Sequence, residues 1–343
     1  MGIILSARRK VAGGALVAVV LSLATSIAGC SAIPGLAPPA STPTASPTNT
    51  TAPSPTATST PTPTRTATPT STPTPAPFAL SVQLEPSTVP QGQIATLVIR
   101  ATQPASVTAT LQGKPLPLFE EQGRWYGLIG IWAGTQPASW PLVITGESAA
   151  GSPAIVERRQ LRVSARQFEI DAVTMTQDTL NLVLDTEATQ RENNLLASLL
   201  APRTPDRLWQ GTFQRPVKGE VTTTYGQRRS YNGGPALEYH GGLDLAADEG
   251  TPIAAANSGR VVFAGPLKIR GNVVIIDHGW GLYSGYFHMS AIQVTVGQQV
   301  ERGQTIGLLG STGFSTGPHV HWQVWLGGYP VDPTFLEQWQ LPG

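Results

Sequence analysis

The stretch Gly317-Pro318-His319-Val320-His321-Trp322-Gln323-Val324 decides how the rest of the chain is read. Two histidines one residue apart, set in a β-branched and aromatic run, predict a strand that aims both rings at one face. The chain has only five histidines, and four of them (His240, His288, His319 and His321) can be assigned to one kind of site. Everything before about residue 210 reads as equipment that holds this site away from a membrane.

A second fragment is His240-Gly241-Gly242-Leu243-Asp244. Adjacent glycines argue against a helix. The fragment therefore predicts a loop running into a short strand, with Asp244 between Leu243 and Leu245. A buried carboxylate needs a partner, either backbone amides or a metal ion. The third fragment, Tyr286-Phe287-His288, adds another strand-borne histidine. The single cysteine, Cys30, allows no intrachain disulfide, so a metal site must be built from histidine and carboxylate. Together the fragments hold the inventory of a catalytic zinc site, which takes three protein ligands and leaves a fourth position open to water.

Formal net charge is +1, and residues 206–343 hold nine Lys/Arg against ten Asp/Glu. No basic stripe exists there, which excludes an electrostatic case for nucleic acid. Glycines recur through residues 210–343, with strand-like runs at 260–263, 272–276 and 284–287 between them. The region predicts a compact, almost all-β domain with tight turns and no long helix.

Upstream, short alternating runs at 80–84, 95–99, 107–111, 125–129 and 142–144 are separated by turn residues such as Pro90-Gln91-Gly92 and Gln112-Gly113-Lys114. That spacing predicts an immunoglobulin-like β-sandwich over 78–165. It has no histidine and only single carboxylates, so a spacer or a weak wall-binding module is the default reading. Residues 166–209 connect it to the last domain. Strand-like alternation continues through 168–184, and a helix is predicted at about 187–200. There Thr189 and Glu192 have capping-box spacing, Leu195, Leu196, Leu199 and Leu200 share one stripe, and Pro202 ends the helix. Packing is the use expected of it.

Residues 41–77 contain 25 Thr or Pro among 37, and Arg65 is the only charge between Ser31 and Pro77. Such a segment cannot bury enough apolar surface to fold. It predicts an extended stalk over 30–77, with a reach on the order of 100–150 Å. Residues 1–29 read as a secretory signal: Arg8, Arg9 and Lys10 precede an apolar run to about Ile27.

Two resemblances extend this reading. Ile27-Ala28-Gly29-Cys30 resembles the lipobox of bacterial lipoprotein precursors, which implies cleavage before Cys30, lipidation of its thiol and anchoring in the membrane of an extracytoplasmic compartment. The alternative is an uncleaved anchor, since the run is almost long enough to span a bilayer. Over residues 213–335, His240-xxx-Asp244, Tyr286-Phe287-His288-Met289-Ser290 and His319-x-His321 resemble the lysostaphin-type zinc metallopeptidases that cut peptidoglycan cross-bridges. Gly250-Thr251-Pro252-Ile253, Asp277-His278-Gly279, Val296-Gly297-Gln298 and Ser315-Thr316-Gly317-Pro318 agree with this. Two departures stand out: Met289 replaces the usual leucine, and the approach to His240 from Tyr231 to Tyr239 is longer.

Carried over residue by residue, the resemblance implies one zinc ion held by His240, Asp244 and His321. It implies that His288 and His319 are catalytic, with His319 favoured as the base and His288 as the stabiliser of the oxyanion. His278 reads as structural. The implied substrate is the peptide part of peptidoglycan, and a monomer is the default. One rival is an inactive relative that binds wall or activates another hydrolase, but none of the five positions is lost. A biotinyl- or lipoyl-type carrier is excluded by the absence of lysine from residues 271–343. An anchored adhesin leaves the histidines unexplained.

Overall fold

The computed structural model describes residues 77–343 apart from 175–185, Leu237 and Gly343. The signal sequence, Cys30 and all but the last residue of the stalk lie outside the described residues, as does most of the alternation expected at 168–184. Among the described residues no helix is long and apolar enough to cross a membrane. The architecture is mainly β, as the period-two runs predict.

The first part is a two-sheet sandwich. Strands Leu80–Glu85, Ile94–Ala101, Arg124–Gly130 and Phe119–Glu121 form a four-stranded sheet. Thr88–Pro90, Ile155–Ser164, Ser139–Ser148, Ala105–Leu111 and Lys114–Leu116 form a five-stranded one. Leu97 and Ile99 of the first sheet pack on Ala109, Leu142 and Ile144 of the second, and all five are buried.

This sandwich is not a detached spacer. Ile94, Val98, Phe119, Tyr126 and Leu128 share one hydrophobic core with Trp209, Trp280, Leu282, Leu326 and Val331 of the C-terminal part. Trp280 is the centre of the junction. It stacks on Phe119 at 5.3 Å and on Tyr126 at 5.4 Å, and meets Trp209 edge-on at 5.3 Å. Trp280 and Gly281 make the two-residue hairpin turn after Gly271–Gly279, with φ of +54° and +76°. A turn with two positive φ values usually takes Asn or Gly. Tryptophan occupies it here because the turn delivers its ring into the shared core.

In the C-terminal part, an eight-stranded sheet runs in the order Glu220–Thr223, Gly242–Ala246, His319–Leu326, Leu282–Met289, Gly271–Gly279, Gly259–Leu267 and Gln299–Val300, with Tyr329–Val331 added to His319–Leu326. The pairing is antiparallel throughout. A separate three-stranded sheet joins Ile170–Val173 of the connecting segment to Arg228–Tyr231 and Glu238–Tyr239.

The expected helix spans Thr186–Leu200, and Leu196 and Leu200 pack on Val273, Ile275 and Tyr283. The capping-box expectation is corrected. The helix starts at Thr186, before Thr189, and buried Glu192 reaches across to the Ile269 amide at 2.7 Å and the Arg270 guanidinium at 2.9 Å. An acid three residues after a threonine has two competing uses, and here the tertiary one wins.

His278, at the end of Gly271–Gly279, is fully buried. Its Nδ1–H donates to the Ser258 carbonyl at 2.7 Å, and Nε2 lies 2.7 Å from the Ser284 hydroxyl. Burial pushes its pKa down to about 4. An unfolded ring titrates near ~6.5. As pH falls from about 6.5 towards about 4, the unfolded chain takes up a proton that the folded chain refuses, so stability is lost across that window. Urea denaturation is expected to register a loss of about 3 kcal/mol from this ring, and His278→Gln should flatten the profile by that amount.

Candidate metal centre and cleft

The register of four neighbouring strands assembles the site. Asp244 pairs with His321 and with Thr223, while Phe287 pairs with His321 on the other side. His240 sits in the loop just before Gly242–Ala246, tied by its amide to the Gln227 carbonyl at 2.8 Å. Gly242 is required beside it. A Cβ there would lie 2.4 Å from the Trp322 carbonyl oxygen and 2.9 Å from His321 Nε2.

His240 Nε2, Asp244 Oδ1 and His321 Nδ1 converge, at 3.0 Å, 2.8 Å and 2.9 Å from one another. The remaining atom of each group is anchored. His240 Nδ1–H donates to the Thr224 carbonyl at 3.0 Å. His321 Nε2 lies 3.1 Å from Gln323 Oε1, which can only accept. Each ring therefore keeps its outer N–H in both states: neutral, with its inner lone pair turned towards Asp244 Oδ1 and free for an ion, or charged, with an inner N–H donated to that oxygen. Burial opposes ionisation of Asp244, but His240 and His321 outweigh it and hold the carboxyl well below its usual range. Burial lowers the pKa of His321, with Asp244 opposing.

This donor set fits a zinc ion. Ligands at roughly 2.0–2.1 Å from tetrahedral zinc stand about 3.3 Å apart, so the three atoms need move only a few tenths of an ångström. Two neutral imidazole nitrogens and one carboxylate oxygen are also the chemistry such an ion takes.

His288 and His319 flank the cluster, with ring centroids 4.8 Å apart. Their Nδ1–H groups donate to the carbonyls of Thr312 and Gly317, both at 2.8 Å. In the neutral rings Nε2 therefore carries a lone pair. Burial, with His319 adding to it, pushes the His288 pKa down to about 3. His288 also has φ of +62°, a conformation rare for a residue with a side chain. Successive strand residues ordinarily face opposite ways. Phe287 and His288 both line the same cleft, and the positive φ is what turns His288 back towards it. The pairing register shifts between Asn272 and Val274, opposite this point.

The cleft has a volume of about 590 Å³ and is lined by His240, Asp244, His288, His319 and His321, so all five positions singled out in the sequence meet in one place. Cys30, the sixth, lies outside the described residues. Two further contributors are not among those positions. Gln323 follows His321 by two and so shares its strand face, a signal that was available. Arg229, ion-paired with Asp244 Oδ2, comes from the separate three-stranded sheet and has no such signal.

Residues 238–333 match the model of Peptidase family M23, so the stretch that carries the five residues is an M23 peptidase domain. A solved Pseudomonas aeruginosa structure, described as a candidate M23 peptidase, is 29% identical with a TM-score of 0.52, covering 73% of this chain and 95% of that one. The match is wider than the family stretch and takes in elements before it. Among curated proteins, peptidoglycan DD-endopeptidase ShyA of Vibrio cholerae is 40% identical over 126 residues, covering 36% of this chain and 29% of that protein. DD-carboxypeptidase/endopeptidase Mpg of Neisseria meningitidis is 44% identical over 94 residues, covering 27% of this chain and 22% of that protein. The chain thus spans less than a third of the length of either curated relative.

Replacing Gln323 by leucine removes the acceptor that sets the His321 tautomer. Zinc affinity, measured by competition with a chromogenic chelator, should fall about 10–100-fold, with the metal-free protein melting as the wild type does.

Proposed function

We propose that this chain is a zinc-dependent metalloendopeptidase that hydrolyses peptide cross-links of bacterial peptidoglycan. The observation that carries this reading is the convergence of His240 Nε2, Asp244 Oδ1 and His321 Nδ1 within 2.8–3.0 Å, with the other atom of each group already tied down. These three residues are the ligands in this reading. Zinc, when bound, lowers the pKa of a water molecule towards neutrality and polarises a scissile carbonyl.

His288 and His319 then act as a pair. Each neutral ring has its one N–H on Nδ1, committed to a backbone carbonyl, and offers a lone pair at Nε2. The pair is therefore built to accept a proton from the attacking water. Burial and the neighbouring ring disfavour a charge on His288, which supports the reading that His319 is the acceptor. The oxyanion role that the resemblance gives to His288 needs an N–H at Nε2, whereas its neutral ring, with Nδ1–H on the Thr312 carbonyl, offers a lone pair there, and the Nε2–H gained on proton transfer belongs to His319. In this reading His319 accepts the proton and, once protonated, is the ring of the pair that can donate from Nε2.

The same reading places the domain outside the cytoplasm, lipid-anchored through Cys30 and extended on the Thr/Pro stalk as a monomer. The similarity to proteins named as peptidoglycan endopeptidases supports the substrate class.

The full chain is expected to digest purified peptidoglycan, with fragment masses identifying the bond that is cut. Chelation or His321→Ala should abolish digestion, and undiminished digestion by His321→Ala would show the ligand assignment to be wrong. His319→Ala should retain zinc while kcat falls about 10²–10⁴-fold. Cys30→Ser should move the protein from the membrane to the soluble fraction.

A further inference from the structure

The two oxygens of Asp244 face different partners. Oδ1 lies 3.0 Å from His240 Nε2 and 2.8 Å from His321 Nδ1. Oδ2 is ion-paired with Arg229 Nη2, and the same nitrogen donates to Thr223 Oγ1 at 2.8 Å. Thr223 and Asp244 are cross-strand partners, so the hydroxyl and the carboxylate stand side by side. One –NH₂ of the guanidinium has two hydrogens, and each has an acceptor. The carboxylate is 6% exposed and the arginine side chain 23%, so the pair is largely shielded from solvent.

We propose that Arg229 is a positioning residue for the metal site. It holds Asp244 by Oδ2 and leaves Oδ1 alone to face the ion, which keeps the carboxylate a one-oxygen ligand. The inference rests on the zinc reading above and concerns a residue outside the 238–333 family stretch. A buried carboxylate with one idle oxygen is costly. Without the guanidinium, rotation of the carboxylate would satisfy Oδ2 at the expense of the convergent arrangement. Arginine suits the task because its planar fork fixes direction as well as charge.

The strand that carries Arg229 adds a second dependence. Arg228–Tyr231 is held between Glu238–Tyr239 and Ile170–Val173, with Arg229 in register with Glu238 on one side and Asp171 on the other. Asp171 and Glu238 line the same cleft, so the cation stands among three carboxylates. Ile170–Val173 belongs to the connecting segment. A strand from outside the catalytic sheet thus helps to place the group that orients a ligand within it.

The test compares the full chain with its Arg229→Ala, Arg229→Gln and Arg229→Lys forms by zinc titration against a chromogenic chelator, by kcat and KM on purified cross-linked muropeptides, and by thermal melting of the metal-free proteins. Arg229→Ala should bind zinc about 10–100-fold more weakly. At saturating zinc its kcat should fall while KM stays within about twofold. Arg229→Lys, a point charge without the fork, should recover part of both losses with wild-type melting. Zinc affinity within about twofold of wild type in Arg229→Ala would overturn the inference. If that variant fails to fold, unchanged affinity in both Arg229→Gln and Arg229→Lys does the same. A wild-type chain that binds no zinc overturns the zinc reading and this inference with it. A zinc-binding wild type with unaffected variants overturns this inference alone.

Discussion

A buried carboxylate held between two imidazoles is the constraint on which the C-terminal domain depends. Such a group is stable inside a protein only when every polar atom around it is satisfied. Here Oδ1 of Asp244 meets two ring nitrogens and Oδ2 meets a guanidinium, while the far nitrogens of the rings end on Thr224 and Gln323. The strand order follows from this requirement. Glu220–Thr223, Gly242–Ala246 and His319–Leu326 must be immediate neighbours for these atoms to meet, and Gly242 leaves room for the ring of His321 while Gly241 leaves room for the Gln323 side chain.

The histidine pair beside the cluster shows a different economy of design. His319 reaches the cleft through ordinary strand alternation from His321. His288 reaches it only through a left-handed backbone conformation, stabilised by its amide on the Arg270 carbonyl at 3.0 Å and its ring on Thr312. Local strain at a cleft residue persists when its surroundings overdetermine the conformation. The result is that two consecutive residues, Phe287 and His288, serve one cavity: the first stacks on His321 at 5.2 Å and the second faces His319.

Much of this was legible from local pattern. The period-two spacing of His319 and His321, the burial of Asp244 between leucines and the leucine stripe of Thr186–Leu200 all concern residues whose neighbours in the chain are also their neighbours in space. What was not legible depends on distant partners. Glu192 looked like half of a capping box because Ile269 and Arg270 lie far along the chain. Arg229 gave no sign of its pairing, since its strand joins a sheet seeded by the connecting segment. The backbone turn at His288 has no compositional mark, for no glycine or asparagine stands there.

The junction at Trp280 bears on how the molecule can be divided. Composition marks a boundary near residue 210, but the core ignores it: Phe119 and Tyr126 stack on the Trp280 ring, and Val98 and Leu128 join the same cluster as Leu326 and Val331. A fragment cut at that boundary would present this apolar face to water, and an exposed face of that kind is a site for aggregation. The sandwich is in this sense the fixed half of a two-part casting. Anyone dissecting the C-terminal module for expression or fusion will have to keep the sandwich or redesign the surface that it covers.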